Sequence, residues 1–390
     1  MVERTNPFVY GRVVTGDEFF GRKILVKQLR GHIQSGQNVV LFGERRMGKT
    51  SLVYEVLSKH KERNILRFDF NEVKTIEEIV ARAVEGIRRM ESRIPLKERL
   101  MRLVFRVGGT IDSGTDPVTG LPSFSITPHI SDPVTSIAGL FDFIEESHKQ
   151  QPLAVFFDEF QGLLELKDSR SLLGAIRGRI QYHAEIPYLF AGSVRRRMYE
   201  IFMDPQNPFY KSALPIEVGP LPFEEFAEFL RKAFSTGKRR IDNQFSRTIN
   251  ELIYENTGDI QHLCSALWEV SQPGDVIDQQ HLNRSLELVW QAEEPFYAAR
   301  RRKLSVVQDR VLRALAETGG KEPFGAVFRK KAGNVGPSSI QRALDRLEKD
   351  EFIFQPFDSA AGCERYRFYQ PFFRLWLIRQ NVIPIPPTVE

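Results

Sequence analysis

The sequence predicts an α/β protein in three parts: a parallel-sheet core, a helical segment without strands, and a C-terminal winged helix-turn-helix unit. Three stretches predict it. Residues 39–51 run from an apolar strand through Gly43-Glu44-Arg45-Arg46-Met47-Gly48-Lys49-Thr50 into a helical pattern of Leu52, Val53, Val56 and Leu57. Residues 153–161 form a continuous apolar run that ends in Asp158-Glu159. Residues 300–390 place three amphipathic helices ahead of two short strands.

The first stretch is the most specific. A chain that leaves a strand at Gly43 and enters a helix after Gly48 can curl so that successive N–H groups converge on phosphate oxygens. The positive end of the helix adds to that anion site. Gly43, Glu44, Arg45, Arg46, Met47, Gly48, Lys49, Thr50 and Ser51 are therefore the candidate nucleotide-binding residues. Lys49 is placed to reach the β- and γ-phosphates, and the Thr50 hydroxyl to hold Mg²⁺.

Bulk composition narrows the class. With 42% hydrophobic and 27% charged residues, the chain has enough apolar surface for a packed core. No apolar run approaches the ~18 residues that span a membrane, and the N-terminus lacks a signal-peptide plan, so a cytoplasmic protein without membrane partners is expected. Cys264 and Cys363 lie far apart and read as reduced thiols. Net charge is +5, but residues 300–349 carry thirteen Lys/Arg against five Asp/Glu. Such a basic module suits a polyanionic partner or a solvated face.

Taken in order, residues 1–37 begin with an arm (Asn6, Phe8, Tyr10) that is expected to pack on the core or wall a base pocket. Phe19-Phe20-Gly21-Arg22 opens a helix after it. A strand at 65–70 and a helix at 76–90 follow the phosphate loop. Residues 103–107 and 123–126 flank a turn-rich 116–120, which predicts a hairpin inserted near 102–130. The run at 153–157 suits a strand covered on both faces. Its terminal acids suit phosphoryl transfer, with Asp158 organising Mg²⁺ and Glu159 polarising the attacking water. A strand at 187–191 ends at Gly192-Ser193, where a polar side chain can sense a γ-phosphate. One of Arg195, Arg196 and Arg197 can stabilise transferring charge.

From Leu221 only helices are expected, with apolar stripes near 223–234, 245–253 (ended by Thr257-Gly258), 260–268 and 282–290. The domain plan is thus a core at 1–220, a helical lid at 221–299 and a winged helix at 300–390. In the last unit the third helix would present Ser338, Ser339, Gln341, Arg342, Asp345 and Arg346 outward, residue types that contact phosphates and base edges. A winged helix used for protein contacts is the other reading.

These residues resemble the AAA+ superfamily of phosphate-loop ATPases, and within it the archaeal-type ATPases related to the STAND signalling NTPases and to origin-recognition initiators. The stretches that carry the resemblance are Phe19 to Arg22, Gly43 to Thr50, Phe157 to Gln161, Ala191 to Arg195, Asn207 to Ala213 and Tyr369 to Trp376. It implies a five-stranded parallel sheet, ATP and Mg²⁺ as ligands, adenine as the base, and Ser193 as a sensor on the fourth strand. Initiator-type members carry a lid arginine after a Gly-Asp pair, where this chain has Gly258-Asp259-Ile260-Gln261.

The expected function is a slow Mg²⁺-dependent ATPase with Lys49, Glu159 and Ser193 as catalytic residues. ATP, bound between core and lid, or ADP would set the position of a winged helix that engages double-stranded DNA. The alternative is a signalling or scaffold switch that binds a protein partner or self-associates with nucleotide.

Overall fold

The computed structural model describes residues 6–59, 63–90, 94–115, 122–129, 132–356 and 366–379. The chain divides into two compact units, residues 12–220 and residues 221–390 with 1–11.

The first unit follows the order α1 (Lys23–Gln34), β1 (Val39–Phe42), α2 (Lys49–Ser58), β2 (Asn64–Asp69), α3 (Ile76–Arg89), α4 (Leu96–Val107), β3 (Gly109–Thr115), β4 (Pro122–Pro128), α5 (Pro133–Gln150), β5 (Leu153–Asp158), α6 (Ser169–Ile180), β6 (Tyr188–Ala191), α7 (Arg195–Met203) and β7 (Leu214–Glu217). Five strands pair in parallel in the order β2-β5-β6-β1-β7. Every residue of β1, β5 and β6 is buried, which is why these strands read as unbroken apolar runs. Alternate side chains feed two cores. Val40, Phe42, Phe68, Phe157 and Phe190 face α3 to α6, while Val39, Leu41, Phe156 and Leu189 face α1 and α2. Phe157 has the rings of Phe68, Phe190 and Phe160 at 5.1, 5.5 and 5.6 Å, so the strand bearing Asp158 is wedged in an aromatic cluster.

Two expectations are corrected here. Residues 103–107 close a helix, not a strand, because Leu100, Leu103 and Val107 recur at helical spacing and bury one face. The hairpin is β3 with β4, and its expected turn at 116–120 lies outside the described residues. The edge strand β7 escaped the sequence reading, since only Ile216 of its four residues is buried.

The second unit contains α8 (Phe223–Thr236), α9 (Asn243–Leu252), α10 (Thr257–Val270), α11 (Gln279–Arg302), α12 (Val306–Thr318), α13 (Ala326–Lys331), α14 (Pro337–Lys349), β8 (Ile353–Phe354), β9 (Arg367–Phe368) and α15 (Pro371–Ile378). The arm packs here: Phe8 lies 4.7 Å from Phe234 and 6.3 Å from Trp268, and the Asn6 amide donates to Ser265. Thr257 and Gly258 open α10, with Asn256 accepting from the Asp259 N–H as its cap. They do not end α9. The helix α11 is unbroken from residue 279 to 302, passing through Pro295. The order α12-α13-α14-β8-β9 is the expected winged helix, and β8 pairs antiparallel with β9. Part of the basic run at its start is internal. Arg300 donates to the carbonyls of Asp350 and Glu351 at 3.0 Å, and Arg301 pairs with both oxygens of Asp309.

Candidate functional site

The phosphate loop leaves β1 at Gly43, where packing rather than backbone angle demands glycine. A Cβ there would sit 2.4 Å from the Val218 carbonyl oxygen. Gly48 does need its freedom: it caps α2 in the left-handed region at φ +81°. The loop is pinned from behind by Met47, whose side chain is buried and whose carbonyl accepts from Arg22 Nη2 at 2.7 Å. Ser51 turns away from the loop mouth, and its hydroxyl accepts from the Val14 N–H. Arg45 and Arg46 are exposed at the mouth, with Glu44 half-buried beside them. Arg45 Nε also donates to Ser193 Oγ at 3.3 Å.

Lys49 is buried, and its Nζ donates to the Gly43 and Glu44 carbonyls at 2.9 and 2.8 Å. Burial pushes its ammonium down to about 8, against the pull of Glu159, Asp158 and Glu44. A phosphate oxyanion is a better partner for that ammonium than two loop carbonyls.

At the tip of β5, Asp158 Oδ2 accepts from Thr50 Oγ1 at 3.0 Å and from Arg67 Nη2 at 2.8 Å. Burial raises the Asp158 carboxyl above its usual range. Arg67 opposes the rise and Glu159 adds to it. Glu159 stands next in a left-handed conformation, φ 50°, which swings its carboxylate along the tips of the strands. Its Oε2 accepts from the Ser193 N–H at 3.1 Å, Ser193 Oγ at 2.7 Å and Gln161 Nε2 at 2.5 Å.

The donor set fits Mg²⁺. A hydroxyl and a carboxylate one hydrogen bond apart supply the hard oxygen ligands that this ion prefers, and a divalent cation would offset the charge that burial penalises on Asp158. The fold therefore brings Lys49, Thr50, Asp158, Glu159 and Ser193, from three separate segments, to one edge of the sheet, beside β1 where strand order reverses. In open α/β sheets that is where ligands bind.

Other candidates lie elsewhere or are already engaged. Arg195 begins α7, Arg196 is exposed, and Arg197 pairs with Glu165. Gln261 is buried within α10. On α14, Ser338, Gln341, Arg342 and Arg346 are exposed and Ser339 is half-buried. Gln341 donates to Asp345, Arg342 to Ser339 and Arg346 to Asp350, all within the same turns. The sequence reading missed Arg67 and gave no role to Arg22 or to the Glu159 partner Gln161, which it named only as part of the resemblance. A charged side chain two places before Asp69 in an otherwise apolar strand was the available signal for Arg67.

The model for an ATPase domain predominantly from Archaea matches residues 19–263, and one for a probable winged helix domain matches residues 295–379. No curated protein matches the sequence. Among solved structures, a Walker-type ATPase of Pyrococcus abyssi, PABY2304, is similar with a TM-score of 0.64 at 17% identity, over 95% of this chain and 99% of that one. Cdc6p from Pyrobaculum aerophilum (TM-score 0.45, 13% identity, covering 97% of this chain and 98% of that one) and ORC2 of Aeropyrum pernix (0.45, 15%, 96% of each) also align. With its phosphate loop, acidic strand tip and parallel sheet inside a match that spans well over half of its length, the chain belongs to the family of ATPase domains found predominantly in Archaea.

Proposed function

We propose that the protein is a slow Mg²⁺-dependent ATPase acting as a nucleotide switch that controls DNA engagement by its winged helix. The convergence of Lys49, Thr50, Asp158, Glu159 and Ser193 at one sheet edge carries this reading. In it the loop N–H groups and Lys49 bind the phosphates of ATP or ADP, and Thr50 and Asp158 hold the metal. Mg²⁺ would supply charge neutralisation of the β- and γ-phosphates. Glu159, steered by Ser193 and Gln161, accepts the proton of the attacking water.

DNA as the partner is supported by the exposed face of α14 (Ser338, Gln341, Arg342, Arg346) and by exposed Arg329 and Lys330 on α13. A protein partner has its own support: Phe105 is 85% and Met101 54% exposed, one turn apart on α4 beside the hairpin. ATP hydrolysis measured with and without duplex DNA, alongside Glu159→Gln, tests the reading. Stimulation by DNA that the variant lacks is expected. Hydrolysis indifferent to DNA, with no DNA binding at low salt, would remove the DNA output and turn attention to the α4 surface.

A further inference from the structure

Arg67 has no place in the reading so far, yet it occupies the position of greatest consequence. It lies on β2 in register with Phe156, two residues before Asp69, just as Phe156 lies two residues before Asp158. Residues two apart on a strand share a face, so the arginine leans along the sheet toward both aspartates. Its Nη2 reaches Asp158 Oδ2 at 2.8 Å and Asp69 Oδ2 at 3.3 Å. Asp158 Oδ2 is also the atom that accepts from Thr50 Oγ1. The oxygen pair suited to a divalent cation therefore already carries a monocation.

That monocation is held in place. The guanidinium sits 5.9 Å from the centre of the Tyr54 ring. The arginine side chain is 23% exposed and that of Asp158 only 6%. An arginine does not lose its proton in a protein, so it can release Asp158 only by moving.

We propose that Arg67 is a positioning residue that neutralises Asp158 and Asp69 in the nucleotide-free protein and keeps divalent cations from the site until phosphates arrive with them. This rests on the reading of Thr50 and Asp158 as Mg²⁺ ligands. Without nucleotide, a metal must displace a formed, half-buried ion pair and gains few ligands in return. With nucleotide, phosphate oxygens enlarge the metal's shell and tip that exchange. A merely structural strut between two aspartates would show a different pattern, because its loss would loosen the carboxylates and weaken metal binding.

Mn²⁺, a spectroscopic substitute for Mg²⁺, separates these cases when titrated into the full-length protein by electron paramagnetic resonance, with and without ATP. Wild type should bind Mn²⁺ weakly alone and tightly with ATP. Arg67→Gln should bind it about tenfold more tightly without nucleotide, the scale of one charge-assisted interaction. Adding Asp158→Asn should abolish that gain. Tyr54→Leu, which removes the ring beside the guanidinium, should shift the affinity the same way by a smaller factor, and it serves if Arg67→Gln does not fold. Unchanged or weaker nucleotide-free binding in the folded variants overturns the proposal. If wild type holds no Mn²⁺ even with ATP, the ligand assignment itself fails and takes the proposal with it.

Discussion

The Ser193 hydroxyl donates to the Glu159 carboxylate across 2.7 Å, joining the tips of two adjacent strands, β6 and β5. The Ser193 N–H and the Gln161 amide donate to the same oxygen, so one carboxylate oxygen carries three donors. That arrangement fixes where the acid points.

Glu159→Gln should lower kcat by about 10²-fold or more while nucleotide affinity stays near wild type, the signature of losing a general base. Ser193→Ala should lower kcat by about 10- to 100-fold, the worth of one hydrogen bond to a charged group. Single-turnover hydrolysis alongside fluorescent-nucleotide binding distinguishes the two effects. A Ser193→Ala enzyme with unchanged kcat would deny the hydroxyl any part in orienting Glu159.

Lys49→Met should abolish the rise in Tm that ATP gives the wild type. It should not lower the Tm of the nucleotide-free protein, because burial disfavours the charged lysine that the substitution removes. Differential scanning fluorimetry reads both. A variant that still gains Tm with ATP would show that Lys49 is not the phosphate ligand.

Arg342→Glu with Arg346→Glu should weaken DNA binding and flatten its salt dependence by about one counterion per lost phosphate contact. Among the described residues, Arg342 bonds to Ser339 and Arg346 to Asp350, each within one turn of its own helix and its cap, so the fold should tolerate the exchange. Equal affinity of variant and wild type across 50–200 mM salt would place any DNA contact elsewhere.

The sheet unit should lose stability as pH falls below about 6.5, the ordinary histidine value. Burial holds His148 and His183 below that value, and Arg63 adds to the effect at His148. The folded state therefore binds fewer protons than the unfolded chain in this window. Stability from these groups is full at neutral pH and falls with acidification. His183→Gln, which keeps a partner for the Tyr188 hydroxyl now 2.7 Å from Nδ1, should reduce the slope of urea midpoint against pH between 7.5 and 5.5. An unchanged slope would exclude His183.

What the sequence made legible was set by local signal. The phosphate loop, the acid-tipped β5 and the tip of β6 are each encoded in fewer than about a dozen consecutive residues, and the parallel sheet forces their strands to read as apolar runs. The strand β7 carries one buried side chain in four, so no periodicity marks it. The beginning of α10 was mistaken for an end because Thr257-Gly258 reads as a stop when the Asn256 cap before it is overlooked. Arg67 could not be assigned from its neighbours, since its meaning comes from a strand some ninety residues away.

The unbroken α11 has a mechanical consequence. Its 24 residues form a rod about 36 Å long. Its flank is clasped by α15, with Trp290 Nε1 donating to the Phe372 carbonyl and Tyr297 buried against Phe373 and Trp376. Arg300, at the far end of the rod, is fastened to the close of α14. Among the described residues, α11 runs without a loop from the helical segment into the winged helix, and Arg300 ties its end to the close of α14. The winged helix is aimed by a lever, not carried on a tether.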